Sequence, residues 1–531
     1  MSRRRIAWQD GEARIQRWID ACWAASFDEE NPRRSRGERL HESSRRLLYR
    51  LESPRELSVD ASGAATIRGL VIKVHRTHSG RHAFREALKR RIGQSPALRE
   101  WQALVELHAA RVPVPEPLAW GVLPGGDPLV VTEYFEGRAL ARLLDAASEG
   151  ERWSWIDRLA ESVARLHAAG YRHGDLHLGN LHGADETVKI LDVQRAHRLR
   201  SERERLRDLA QLDFSIARAG FDIALRRRLR ERLEAPPELD TACRAFVRDF
   251  VRGRARREFR TGRAWSAWQP AAFDELAGLL DATASRSGLE SALQAAIADP
   301  RPGDRRSGRT RISEHAEGRS TIVAKRTTQV TWGRIALDRL RGPSALRSFR
   351  MGQRLALLGT LAARPLGALE EREPQRPQTS WLFLEKVGQR DLDRYRPATE
   401  SAARRCCEAL ADWIAEWQAW GIEHRDLKAS NIRIDDRDGH FRFWLVDLED
   451  IRLRRRPSDR SRLRALVQLN ASLADDAFSA TARKHGLDRY LDRLPFAGSN
   501  RRELVATLAQ RSLARQHRWQ GLGCAAMRPD P

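Results

Sequence analysis

Lysine is nearly missing from this chain. Of the 96 basic residues among 531, seven are lysine, at positions 73, 89, 189, 325, 386, 428 and 484, and the rest are arginine. Against that background each lysine is a candidate for a job a guanidinium cannot do, such as placing a compact ammonium at a phosphate. Cysteine is scarce as well. Cys22, Cys243, Cys406, Cys407 and Cys524 form no CxxC pair and no zinc-like spacing, and their number is odd. That excludes a disulfide-stapled scaffold and points to structural thiols in a reducing compartment. No run of 18 apolar residues occurs, so no helical membrane span is expected. The basic N-terminus, MSRRRIAWQDGEARIQRWID, has no apolar stretch behind it and does not read as a secretory signal. The expectation is a cytoplasmic protein, or one held peripherally at the inner face of the cytoplasmic membrane.

What is present sets further bounds. A chain of 531 residues exceeds a single hydrophobic core and predicts two or three domains. A hydrophobic fraction of 41% and 16 tryptophans argue for packed structure over disorder. The formal charge of +24 predicts attraction to polyanions: nucleotide, nucleic acid, anionic lipid or phosphorylated glycolipid. It reads equally as an arginine-rich solvated surface. The most basic run, RGRARREFRTGR at 252–263, has few interleaved aromatics. It suits a solvated helix face or an anionic surface better than nucleic acid, which is not an expected partner. Oligomeric state has no signature here.

Residues 11–27 carry Ile15, Trp18, Ile19, Cys22, Trp23 and Phe27 at helical spacing. Short strands are expected over 51–74 with a turn at Ser62-Gly63, a helix over 96–110, a strand over 128–135 and a long helix over 151–170. DPRPGDRRSGR, 299–309, combines Pro, Gly and charge without periodicity and reads as a linker. A strand-rich stretch at 310–326, a strand at 380–386 and a long helix at 399–420 follow. This order repeats. HGDLHLGN (173–180) and HRDLKASN (424–431) lie 251 residues apart, Lys73 and Lys325 lie 252 apart, as do Glu133 and Glu385, and Asp192 and Asp447 lie 255 apart. A constant offset over four landmarks indicates a duplicated domain.

Each loop of the form Asp, four residues, Asn is followed by an apolar strand ending in an acid: VKILDVQ with Asp192, and FRFWLVDLED with Asp447. Upstream, Lys73 lies in LVIKV and Lys325 in TIVAK, both strand-like. This constellation, found twice, resembles the protein-kinase-like phosphotransferases. The resemblance implies an α+β fold with two tandem bilobal domains, each a small β-rich N-lobe and a larger helical C-lobe. The first would span 1–298 with an N-terminal helical extension, and the second 310–531. It further implies ATP and Mg²⁺ as cofactors. Asp175 and Asp426 would receive the acceptor hydroxyl, and Asn180, Asp192, Asn431 and Asp447 would hold metal. Lys73 and Lys325 would pair with donor phosphates, Glu100 in LREWQAL would orient Lys73, and Glu133 and Glu385 would mark the inter-lobe segment that meets adenine.

The copies differ. Ser348 stands opposite Glu100, and no acid occurs from 339 to 369, so Lys325 is expected to lack its carboxylate. The second loop has Lys428 two residues after its Asp, as many protein kinases do, whereas the first has His177, as small-molecule phosphotransferases often do. Neither copy has a clear GxGxxG loop to cover the nucleotide. Neither has an APE motif or room for a long activation loop, which argues against a peptide acceptor. The basic stretches leading into DLAQLDFS (208–215) and ALVQLNAS (465–472), with REWQAL, VPVPEPLAWG, EHRDLKASN and WLVDLED, are similar to the bacterial lipopolysaccharide core kinase family over about 50–235 and 310–495. That resemblance implies transfer to a Kdo or heptose sugar of an anionic glycolipid at an anionic membrane surface. A protein or small-molecule kinase of the same fold, and a scaffold with one inactive half, are the alternatives.

Overall fold

The computed structural model describes residues 6–26, 37–42, 46–52, 69–76, 95–123, 126–184, 186–221, 223–261, 265–298, 310–318, 320–329, 331–359, 362–371, 378–437, 440–454, 457–498 and 500–520. The chain divides into two compact units, Met1–Cys243 and Arg244–Pro531.

The first unit begins with β1 (Ala7–Gly11), α1 (Ala13–Ser26), β2 (Gly37–Glu42), β3 (Arg46–Glu52) and β4 (Gly69–His75). Helix α2 (Pro96–Ala109), β5 (Pro117–Val122) and β6 (Pro128–Glu133) complete this half. Its strands form an antiparallel sheet in the order β1-β5-β6-β4-β3-β2. Period-two alternation in β4 sends Leu70, Ile72 and Val74 into a core with Ile15 and Ile19 of α1. Lys73 and His75 therefore fall on the opposite face. Helix α2 starts where Ser95 Oγ accepts the Leu98 N–H and Pro96 occupies the first turn.

A helical half follows: β7 (Arg138–Ala139), α3 (Leu140–Ala146), α4 (Glu149–Ala168), β8 (Tyr171–Arg172), β9 (Leu181–Ala184), β10 (Thr187–Ile190), β11 (His197–Arg198), α5 (Glu202–Arg218) and α6 (Ile223–Arg232). A Ser148–Glu151 capping box opens α4, which buries Ile156, Leu159, Val163 and Leu166 along one stripe. Helix α7 (Leu239–Thr261) crosses the division between the units.

The second unit contains β12 (Trp265–Trp268), β13 (Leu276–Asp281), α8 (Arg286–Ala298), β14 (Thr310–Glu317), β15 (Ser320–Gln329), α9 (Trp332–Arg341), α10 (Ser344–Ala356), β16 (Pro365–Glu371) and β17 (Gln378–Glu385). Its sheet runs β12-β13-β16-β17-β15-β14. Next come β18 (Arg390–Asp391), α11 (Glu400–Ala419), β19 (Ile422–His424), β20 (Ile432–Arg437), β21 (His440–Leu445), β22 (Ile451–Leu453), α12 (Asp459–Asn470), α13 (Ala480–Arg493) and α14 (Arg501–Gln520). Among the described residues no helix is long and apolar enough to cross a membrane.

The expected domain boundary requires correction. The stretch 299–309 and the turn at Ser62-Gly63 lie outside the described residues, but 265–298 belongs to the second unit and not to the first. Strand β13 pairs with β16 from Leu276↔Glu371 to Leu280↔Gly367. Helix α8 buries Leu289 and Leu293 in one core with Trp268, Ile322 and Phe383. β1 and α1 stand to β5 as β13 and α8 stand to β16, so the N-terminal strand and helix of the first unit have counterparts in the second.

Candidate active sites

The first unit assembles its charges from three segments. Lys73 Nζ on β4 donates to Glu100 Oε1 of α2 at 2.7 Å and to Asp192 Oδ1 at 2.6 Å. Glu100 is buried, and its second oxygen meets His75 Nε2 at 3.2 Å. Burial alone would push the Glu100 carboxyl up, but Lys73 and His75 outweigh it and hold the group below its ordinary value. Asp192 follows β10 in a left-handed conformation, φ 59° and ψ 49°. That conformation is uncommon for a side-chain-bearing residue and persists where surrounding contacts fix it. Here burial works against ionisation, and Lys73 together with Arg46 holds the carboxyl well below the usual carboxylate range.

The loop HGDLHLGN follows β8 and ends in a short 3-10 turn at Leu178–Asn180. Asn180 Nδ2 donates to the Asp175 carbonyl at 3.0 Å, which leaves its amide oxygen for another partner. Gln211 Nε2 of α5 donates to Asp175 Oδ1 at 2.8 Å, and Arg195 lies 3.2 Å from Oδ2. His177 Nδ1 accepts the Gly179 N–H, so the neutral ring carries its proton on Nε2, 4.0 Å from Asp175 Oδ1. Burial lowers the His177 pKa and favours that neutral form. Lys73, Glu100, Asp175, Asn180 and Asp192 thus border one site.

Glu133 ends β6, where the sheet hands over to the helical half. Its side chain pairs with Lys189, while its N–H donates to Glu116 O. Glu385 ends β17 in the same way, with its N–H on Arg364 O and its carboxylate 3.4 Å from the Arg364 guanidinium.

The second unit repeats the frame with fewer acids. Lys325 Nζ of β15 donates to Asp447 Oδ1 at 2.8 Å. Asn431 Nδ2 donates to the Asp426 carbonyl at 2.9 Å, and Lys428 Nζ lies 2.6 Å from Asp426 Oδ2. Ser348 is buried on α10 at the point equivalent to Glu100 on α2. Asp447 is not among the described residues with positive φ.

Two residues escaped the sequence reading. Arg46 opens β3 opposite His75 of β4 and donates to Asp192 Oδ2 at 2.9 Å. In the second unit the strand equivalent to β3 is β14, where Leu48↔Lys73 corresponds to Ile312↔Lys325. Thr310 therefore stands for Arg46, and no strand among the described residues stands for β2. Asp208 of α5 is fully buried and accepts the backbone N–H groups of His173 at 2.5 Å and Gly174 at 3.0 Å. Alignment of DLAQLDFS with ALVQLNAS puts Ala465 in its place. The Ser215 and Ser472 contacts to Leu178 N and Ala429 N fix that register. An acid on the apolar stripe of an amphipathic helix was the signal that could have revealed Asp208.

The model of the lipopolysaccharide kinase (Kdo/WaaP) family matches residues 49–233 and 292–490. Lipopolysaccharide core heptose(I) kinase WaaP of Pseudomonas aeruginosa is 28% identical over 230 residues, which cover 39% of this chain and 81% of that protein. KEOPS complex subunit Bud32 of Pyrococcus abyssi is 29% identical over 103 residues, 19% of this chain and 40% of that one. Among solved structures, WaaP in complex with acyl carrier protein matches at 22% identity, over 42% of this chain and 87% of that one, with a TM-score of 0.28.

Proposed function

The chain belongs to the lipopolysaccharide kinase (Kdo/WaaP) family, and on that premise we propose that it is an ATP-dependent phosphotransferase acting on a sugar hydroxyl of a lipopolysaccharide core. The observation that carries this reading is the linked set Glu100–Lys73–Asp192 beside Asp175 and Asn180. We read each unit as a bilobal kinase-like domain, with its site between sheet and helical half.

Phosphoryl transfer asks the protein for placement and charge more than for covalent chemistry. Lys73, steadied by Glu100, meets the donor phosphates. The residues fit a magnesium site: Asp192 is held ionised, and Asn180 keeps its amide oxygen directed away from the bond it makes to Asp175. Magnesium takes oxygen ligands and usually shares them with substrate phosphates, which matches a two-residue donor set. When bound, it would offset charge on the donor phosphates. Asp175 orients the acceptor hydroxyl and takes its proton. A lipid-linked acceptor places the chain at the inner face of the cytoplasmic membrane, and a charge of +24 suits that surface.

A second reading applies to the second unit alone: a nucleotide-binding half with weak transfer. Ser348, Ala465 and Thr310 stand where the first unit has Glu100, Asp208 and Arg46, and this favours it. The test is transfer of labelled γ-phosphate to purified lipopolysaccharide core, with casein and an aminoglycoside as rival acceptors. Label on the core glycan alone is expected. Label on casein or the aminoglycoside with none on the core would overturn the acceptor assignment.

A further inference from the structure

The catalytic carboxylate of the first unit is gripped unevenly. Gln211, a neutral donor from α5, holds Asp175 Oδ1 at 2.8 Å. The other oxygen, Oδ2, faces Arg195 at 3.2 Å, and this arginine side chain is 61% exposed. An arriving hydroxyl therefore reaches Oδ2 beside an open guanidinium. As a plain surface ion pair this contact would contribute little.

Its surroundings are nevertheless built. Arg195 ends the short 3-10 turn Val193–Arg195, pinned by the Ala196 N–H on Val193 O and by the ladder pairing His197 with Arg172. Its carbonyl closes on Gly174, where an added Cβ would lie 2.8 Å away and where φ is +74°. Only glycine suits that backbone without strain. The backbone at 195 is thus fixed against the catalytic loop, while the charged tip stays open to solvent.

The second unit supplies the contrast. There the Ile451 N–H bonds Leu448 O as Ala196 bonds Val193, and His424 pairs with Ile451 in the matching ladder. That register puts Asp450 at the position of Arg195, next to Glu449 where the first unit has Gln194. The same spot beside the catalytic acid carries positive charge in one unit and negative charge in the other.

Resting on the assignment of the first unit as a sugar kinase, we infer that Arg195 determines acceptor specificity by binding an anionic group, a carboxylate or a phosphate, adjacent to the hydroxyl that Asp175 activates. On docking, Arg195 exchanges Asp175 Oδ2 for the acceptor anion and frees that oxygen for the hydroxyl proton. A planar guanidinium gives two parallel hydrogen bonds to such a group. The second unit, with Glu449 and Asp450, repels the same acceptor.

The test uses the full chain with saturating ATP, Mg²⁺ and three acceptors: lipopolysaccharide core glycan, the same glycan with its carboxyl groups reduced, and the same glycan dephosphorylated. For wild type, KM is expected to rise about 10- to 100-fold, the worth of one charge-assisted contact, for whichever treatment removes the gripped anion. Carboxyl reduction would identify a carboxylate, and dephosphorylation a phosphate. Arg195→Ala should raise KM on untreated glycan to that same level, lower kcat less, and no longer distinguish the acceptors. Arg195→Lys should recover part of the difference. A variant that still discriminates, or that loses rate equally on all three, overturns the inference. If wild type labels none of them, the core-acceptor reading fails, and the slow hydrolysis of ATP by water then tests Arg195. Sulfate should inhibit wild type and leave Arg195→Ala at its own uninhibited rate; equal sulfate sensitivity overturns the inference.

Discussion

Asp208→Ala removes a carboxylate that is fully buried and holds two consecutive backbone N–H groups, those of His173 and Gly174, immediately before Asp175. Each such charge-assisted bond contributes about 1.5–3 kcal/mol, and its loss leaves a buried donor unpaired. Two of them set a ceiling of about 6 kcal/mol, and water entering the space should bring the cost to about 4 kcal/mol. For a unit of this size, about 2–4 °C of melting temperature accompanies each kcal/mol, so one thermal transition should fall by about 10 °C. The loop should also lose its register, and a displacement of about 1 Å at Asp175 costs on the order of a hundredfold in kcat. Asp208→Asn keeps one acceptor oxygen and should lose about half as much. The pH dependence has a definite sign. Burial raises the Asp208 pKa, but His167 and the His173 N–H outweigh it and lower the folded value. Its contribution is therefore complete above an unfolded value of about 4 and fades as pH falls below it, so wild type and variant should converge in acid. Hydrogen exchange at His173 and Gly174, calorimetry and kcat are the readouts. Unchanged protection at these two amides, with kcat retained, would refute the reasoning.

Asp175→Asn should abolish most transfer, a loss of several kcal/mol of transition-state stabilisation, whereas Asp426→Asn should cost less; the reverse ranking in phosphate transfer would move the working site to the second unit. Glu100→Gln should cut kcat/KM for ATP about a hundredfold by releasing Lys73 from its 2.7 Å contact, and an unchanged value would show that Asp192 alone positions this lysine. A fragment spanning 265–531 should fold, while 310–531 should not, because it leaves the core positions of Leu366, Leu369 and Phe383 without Leu289, Leu293 and Trp268; circular dichroism and urea titration separate the two, and a cooperative 310–531 would contradict the sheet assignment.

The residues legible in the sequence share one property: local spacing carries their meaning. Asp175 and Asn180 sit on one short loop, and the second copy repeats that loop as Asp426 and Asn431. Asp192 and Asp447 end the strand that follows, and the near-absence of lysine singled out Lys73 and Lys325. Helical periodicity recovered α1 and α4, and aligning the copies found Ser348 opposite Glu100 without any coordinates. The constant offset between the two sets of landmarks was a matter of subtraction along the chain, and the family was read from the motifs around them.

Tertiary structure decided what depends on segments that periodicity cannot join. Arg46 and Asp192 are 146 residues apart and meet because the β3–β4 ladder turns Arg46 toward the site. Asp208 reads as one more polar residue of a charged helix until α5 is packed under the loop that carries His173 and Gly174. Arg195 acquires its meaning only from the register that sets Asp450 in its place. The membership of 265–298 in the second unit was hidden because hydrogen bonds between β13 and β16, almost a hundred residues apart, assign that segment, while a Pro- and Gly-rich stretch further on imitated a boundary. Composition records where a chain can bend, and cross-strand pairing and burial determine which side of the bend each residue joins.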